Sequence, residues 1–89
     1  MKLNQEKAIE LAVKHLHKLK IKFLSEKEMK ASFNENEELR DYSIHPTWVV
    51  SYEYMVFEEE IAFIYISDDT GKVFYIMDKH GYIENDGTR

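Results

Sequence analysis

The longest uninterrupted run of β-favouring residues constrains the fold more than any other part of the chain. Residues 48–57 read WVVSYEYMVF, without glycine or proline, and the only tryptophan of the chain begins the run. β-Branched and aromatic side chains of this kind are enriched in strands. Two similar runs follow, so we predict consecutive strands at residues 47–57, 61–67 and 72–77 that form an antiparallel sheet.

Short polar segments separate these predicted strands. Glu58, Glu59 and Glu60 join the first pair, and the sequence Asp68-Asp69-Thr70-Gly71 joins the second pair. The second link is typical of a type I turn in which Gly71 takes the left-handed conformation and leaves a bulge. Residues 78–81 predict a further turn, after which residues 82–83 add at most a short edge contact.

The first half of the chain predicts one helix. Ile9, Ala12 and Leu16 recur at spacings of three and four within residues 5–20, which is the pattern of an amphipathic helix. Asn4 precedes this segment and is suited to cap its first turn.

The segment between the helix and the sheet is less regular. Apolar and polar residues alternate within residues 26–34, which predicts a short edge strand. Residues 34–46 are polar and acidic, and we predict a loop that ends at His45-Pro46, since a residue before proline is held in extended geometry. The fold class that follows is α+β: one domain over residues 1–89, with the N-terminal helix packed on one face of a three- or four-stranded antiparallel sheet.

Composition excludes several function classes. The chain has no cysteine, which removes disulfides and thiolate chemistry, and its net charge of −5 argues against nucleic acid as a partner. Residues 1–30 carry eight lysines against four glutamates, whereas residues 31–60 carry one arginine against eight acids. The acidic middle would suit a basic protein partner, or would simply keep the surface solvated. The sequence shows neither a signal peptide nor an apolar membrane span, so we expect a soluble, cytoplasmic protein without membrane contact.

No motif in the chain predicts catalysis, a metal or a cofactor. His15 and His17 are two residues apart on the predicted helix and so point to different sides, which does not suit metal binding. Residues 68–71 lack the regular oxygen ligands of a calcium loop. Serines and histidines occur, but not in a nucleophile elbow, and the chain has no glycine-rich phosphate loop. We therefore predict that the protein is not an enzyme.

The predicted strands are apolar on both faces, although one helix can cover only one face. Antiparallel sheets with a single cover normally alternate apolar with polar residues. Either residues 24–46 fold over the second face, or that face is a contact surface. We favour a contact surface, formed by aromatic side chains together with an acidic lip: Tyr52, Tyr54, Phe57, Phe63, Tyr65, Glu58, Glu59 and Glu60.

Three short motifs resemble those of a known family. They are KAIELA at residues 7–12, Trp48-x-Val50-x-Tyr52, and the hairpin pattern Ile64-x-Ile66-x-Asp68-x-Thr70-Gly71-Lys72-Val73. Together they resemble PepSY-like domains and the small bacterial immunity proteins that look like them. The resemblance implies a helix on an antiparallel sheet in a cystatin-like half, in α-β-β-β order, and a role in restraining or neutralising another protein. It implies no catalytic residues.

These observations lead to competing hypotheses of function. The leading one is a non-enzymatic protein-binding or inhibitory module, of immunity type. The alternatives are a structural homodimer whose sheet face pairs with a second copy, and a small-molecule-binding domain, which would need a pocket that the sequence does not indicate.

Overall fold

The helix and strands of the protein follow the apolar spacing of its sequence. The computed structural model describes residues 1–88. The helix is α1 (Gln5–Leu19), and a single 3-10 turn (Glu26–Glu28) follows it. The strands are β1 (Lys30–Glu38), β2 (Ile44–Met55), β3 (Glu59–Ser67), β4 (Val73–Asp78) and β5 (Gly81–Glu84).

The helix agrees with its prediction at both ends. The backbone N–H of Lys7 donates to Oδ1 of Asn4 at 2.8 Å, so Asn4 caps the first turn as predicted. Lys20 ends the helix in the left-handed conformation, with φ of 59°. Ala8, Ala12 and Leu16 form the fully buried face. Because two of these side chains are single methyl groups, the helix can lie close to the sheet.

The sheet is a five-stranded antiparallel meander in the order β1-β2-β3-β4-β5, so each strand pairs only with its neighbours in the sequence. The prediction of three or four strands in a cystatin-like α-β-β-β order was therefore wrong. Tyr82 and Ile83 form a complete fifth strand because they pair with Met77 and Ile76 of β4.

The predicted loop over residues 34–46 was also wrong. β1 runs to Glu38 and β2 begins at Ile44, so only residues 39–43 connect them. β1 is an edge strand, with one side of its backbone unpaired in the sheet, and edge strands often carry charged residues. The acidic composition that indicated a loop is thus compatible with a strand.

The two faces of the sheet have different surroundings. On the face that α1 covers, Trp48, Val50 and Tyr52 of β2 lie opposite Ile66, Ile64 and Ala62 of β3, and all six are buried. The other face, called the open face below, carries Val49, Phe63 and Met77, which are only partly buried.

A β-bulge changes the faces on which the side chains of β4 lie. The register shifts after Tyr65, so that Tyr75 lies opposite Tyr65 while Val73 lies opposite Ile66. Val73 therefore joins the core, and Tyr75 joins the open face. Strict alternation along the strand would place Val73 and Tyr75 on one face, but a bulge inserts an extra residue and reverses the alternation.

Asp68 fastens the N-terminal segment to the sheet. Its buried carboxylate accepts hydrogen bonds from the backbone N–H of Lys2 at 2.7 Å and of Leu3 at 2.9 Å, and from Nε1 of Trp48 at 2.9 Å. Burial by itself raises the pKa of this carboxyl, but these donors and the N-terminal ammonium outweigh it and hold the pKa of Asp68 below its usual range.

Candidate functional site

The turn between β2 and β3 is the most exposed apolar part of the molecule. We call residues 55–59 the tip. The exposed fractions are 53% for Met55, 54% for Val56 and 100% for Phe57. A fully exposed phenylalanine makes no packing contribution to the fold, so its apolar surface is available to another molecule.

Apolar side chains continue from the tip into the open face, each with a polar residue opposite it on the paired strand. Met55 lies on this face opposite Glu59, and Ile61, which is 54% exposed, lies opposite Glu53 two residues further along β3. Phe63, opposite Ser51 of β2 and Met77 of β4, extends the apolar stripe toward the middle of the sheet.

Acidic side chains surround the tip, and they differ in their pairing. Glu60 accepts a 2.7 Å hydrogen bond from Nζ of Lys79, which raises the pKa of that lysine. Glu58 and Glu59 are exposed and form no ion pair with any residue from 1 to 88. The tip therefore presents apolar groups beside two exposed carboxylates, of which Glu58 lies close enough to Lys79 to help raise the pKa of that lysine.

The other end of the open face is partly covered by Arg40. The guanidinium carbon of Arg40 lies 3.9 Å from the ring centre of Tyr82, and its Nη1 donates to Glu84 at 2.7 Å. Tyr75 packs against Tyr82 and Tyr65, with ring centres 5.2 Å and 4.7 Å away. Burial, reinforced by nearby Tyr65, raises the pKa of Tyr75 to about 12. This end is an internally satisfied aromatic cluster, which leaves the tip end available.

Residues 24–46 therefore cover one end of the second face, which is part of what the alternative hypothesis expected. Leu39, which is 7% exposed, and Arg40 lie over the end near Phe74 and Tyr75. They do not reach Ile61 at the tip end, which stays more than half exposed.

The structure does not bring the eight sequence-predicted contact residues together. Phe57, Glu58 and Glu59 lie at the tip, and Phe63 lies along the stripe that begins there. Tyr65 is on the same face but packs against Tyr75.

The remaining three residues belong to the opposite side of the sheet. Tyr52 is only 2% exposed in the core beneath α1, and Tyr54 packs partly buried beside it, with ring centres 6.1 Å apart. Glu60, opposite Tyr54, is the residue bonded to Lys79. A surface that includes both Tyr52 and Phe63 is excluded, because strand residues of opposite parity point to opposite faces.

Sequence reasoning missed Met55, Val56 and Ile61 as members of the exposed surface. Their signal was present: they flank an acidic run at a strand connection, where apolar side chains have little to pack against. It also missed Arg40, since nothing in the sequence links residue 40 to the tyrosines of β4 and β5.

The His15–His17 pair and the turn over residues 68–71 both have a structural explanation. His15 lies partly buried beside the helix core, and His17 is exposed and stacks on Phe23 with ring centres 5.8 Å apart. In the 68–71 turn, Gly71 has φ of 75°, as the turn type requires. Among residues 1–88 no group of three or more His, Asp or Glu side chains is arranged to hold a metal ion.

Helices of the described part of the chain are all too short or too polar to cross a membrane. Comparison with protein-family models, with curated proteins and with solved structures gives no match, so function is inferred here from the geometry of this chain.

Proposed function

We propose that the protein is a non-enzymatic protein-binding module that holds its partner with the tip and the adjoining stripe of the open face. The fully exposed side chain of Phe57 carries this proposal. Burying a side chain of this size is worth about 1.5–3 kcal/mol. Association with a partner would recover that free energy, which the fold leaves unused.

The chemistry of the tip favours a partner with an apolar pocket and a basic rim. Phe57, with Met55 and Val56 around it, would act as the buried anchor, since aromatic residues dominate the energetics of interfaces. Glu58 and Glu59 would steer the encounter through complementary charge. A restraining, immunity-type role is the form of this function that the PepSY-like motifs favour.

A second copy of the chain is a poorer fit to the tip. A two-fold interface brings the same surface of both copies together. It would therefore place Glu58 and Glu59 of one copy against the same residues of the other, and like charges at an interface oppose association.

Phe57→Ser tests the proposal directly. The substitution removes the anchor without touching the core, so the fold should be unchanged while association weakens by about 2 kcal/mol or more, which is roughly 30-fold in Kd. The matched control is Tyr42→Ser, because Tyr42 is also aromatic and 82% exposed but lies in the β1–β2 loop.

The measurement has two stages. Tagged wild-type, Phe57→Ser and Tyr42→Ser proteins are used to capture binding proteins from the source cells, and a protein lost only with Phe57→Ser is then purified and titrated by calorimetry. Equal titration curves for the wild type and Phe57→Ser would rule out the tip as the binding surface. A dimer in sedimentation that Phe57→Ser dissolves would assign the tip to self-association instead.

A further inference from the structure

A concave surface of a different kind lies between α1, the β3–β4 turn and the residues after β5. It has a volume of about 440 Å³. Leu11 of the helix and Val73 at the start of β4 provide its apolar wall. Gly71 also borders it. A Cβ at this position would lie in ordinary van der Waals contact with Cδ1 of Leu11, at 3.5 Å. The cavity is not part of the tip or of the open face.

Positively charged side chains line this cavity. Lys14 and Lys18 from α1 and Lys72 from the turn line it, and among residues 1–88 none of the three forms an ion pair. Asp86 is the acid in the lining, and its carboxylate accepts hydrogen bonds from N and Oγ1 of Thr88 at 3.0 and 2.8 Å. Three lysines less one aspartate give the cavity a local charge of +2 in a chain whose net charge is −5.

His15 forms a further part of the wall. Burial, and then the nearby charge of Lys18, lower the pKa of its imidazole, which favours the neutral ring. Its Nε2 is shielded from solvent and has no hydrogen-bond partner within residues 1–88. A shielded polar atom without a partner is costly to the fold.

We propose that this cavity binds a small organic phosphate, with the phosphate group among Lys14, Lys18 and Lys72 and the organic group against Leu11 and Val73. A phosphate monoester carries a charge of about −1.5 to −2 at neutral pH, which matches the local charge of the cavity. A single carboxylate would leave half of that charge uncompensated. Nucleic acid is a poorer match, because it needs a continuous basic track and the chain is acidic overall.

Phenyl phosphate and inorganic phosphate are the probes, followed by two-dimensional ¹H–¹⁵N NMR at neutral pH and constant ionic strength. We expect saturable shifts of the backbone amides of residues 11–18 and 71–73 with both. Phenyl phosphate should bind several-fold more tightly, because its ring adds apolar contact. Sodium chloride at the same ionic strength should leave these amides unshifted. Shifts that grow linearly without saturation, or that chloride reproduces, would overturn the proposal, and equal affinities for the two phosphates would overturn the role of the apolar wall.

Substitution of the lysines provides the second arm. Lys18→Gln and Lys72→Gln should each weaken phenyl phosphate binding about two- to fivefold, as expected for the loss of one exposed charge contact. The double variant should weaken it by the product of the two factors. Lys22→Gln is the matched control, since Lys22 is exposed, follows α1 and does not line the cavity. All these side chains are on the surface, so each substitution should leave the fold unchanged, and the NMR spectra check this. Equal weakening by Lys22→Gln would show a general charge effect and contradict a defined site.

Discussion

Asp68 shows how one residue in a turn can determine the position of a distant segment. The sequence indicated only that Asp68 lies in the turn between two predicted strands. Its carboxylate binds the N–H groups of Lys2 and Leu3, 66 and 65 residues away, and the indole of Trp48. Hydrogen bonds to a charged group are worth about 1.5–3 kcal/mol, more than those between neutral partners.

We expect Asp68→Asn to lower the free energy of unfolding by about 2 kcal/mol at neutral pH, since it removes the charge but keeps the shape. Urea titration followed by the fluorescence of Trp48 measures this. The folded-state pKa of Asp68 is depressed, so its stabilisation is present above the unfolded pKa of about 3.9 and is lost as the pH falls through the folded pKa. The difference between the two proteins should therefore close below about pH 4.

Asp69→Asn is the control for that prediction. Asp69 is 50% exposed and pairs with Lys2 at 3.3 Å on the surface. Exposed pairs contribute about 0–1 kcal/mol, so this variant should resemble the wild type. If both variants lost the same stability, the hydrogen bonds of Asp68 would not be the cause.

At the scale of the element, the end of α1 contains a conformation that its residue does not favour. Lys20 has φ of 59° and donates its N–H to the carbonyls of Leu16 and His17. The left-handed region costs about 1–2 kcal/mol for most residues and almost nothing for glycine.

Lys20→Gly should therefore raise the free energy of unfolding by about 0.5–1 kcal/mol after the greater flexibility of unfolded glycine is subtracted. Lys14→Gly, an exposed position in the middle of the same helix, should instead lower it by about 1 kcal/mol. Thermal unfolding followed by circular dichroism distinguishes the two. Destabilisation of similar size in both variants would show that the left-handed cap carries no strain.

Some features of the helix and strands could be predicted from the sequence and others could not. The apolar periodicity of α1, the Asn4 cap and the β2–β3–β4 strands were all predictable, because each depends on residues close together in the chain. β1 extends beyond the predicted strand. The polar residues 34–38 indicated a loop, but a strand with one unpaired side tolerates polar residues. The faces of Val73 and Tyr75 depended on a bulge that alternation alone does not reveal. The separation of Tyr52 from Phe63 followed from strand pairing, which sets the two residues on opposite faces once the register is fixed.

Over the whole molecule, burial is concentrated on one side of the sheet, and this asymmetry is measurable on a single strand. Ile64 and Ile61 of β3 are the same residue type, 0% and 54% exposed. Ile64→Ala should cost about 2–5 kcal/mol, through lost burial and the cavity it leaves. Ile61→Ala should cost less than about 1 kcal/mol, as for surface positions generally.

Chemical denaturation of both variants, compared with the wild type, is the measurement. A large loss for Ile61→Ala would mean that the open face is covered in solution, by a second copy or by rearranged loops. Concentration dependence of the unfolding midpoint would distinguish these, since a dimer becomes more stable as concentration rises.

The attachment of Lys2 and Leu3 to Asp68 also affects the order in which the chain can fold during translation. Ribosomes synthesise a protein from its N-terminal side, so α1 is made before the strands that it packs against. Its anchor is synthesised 65 residues later, after β3. The apolar face of α1 therefore lacks its complete cover until β2, β3 and Asp68 have been made.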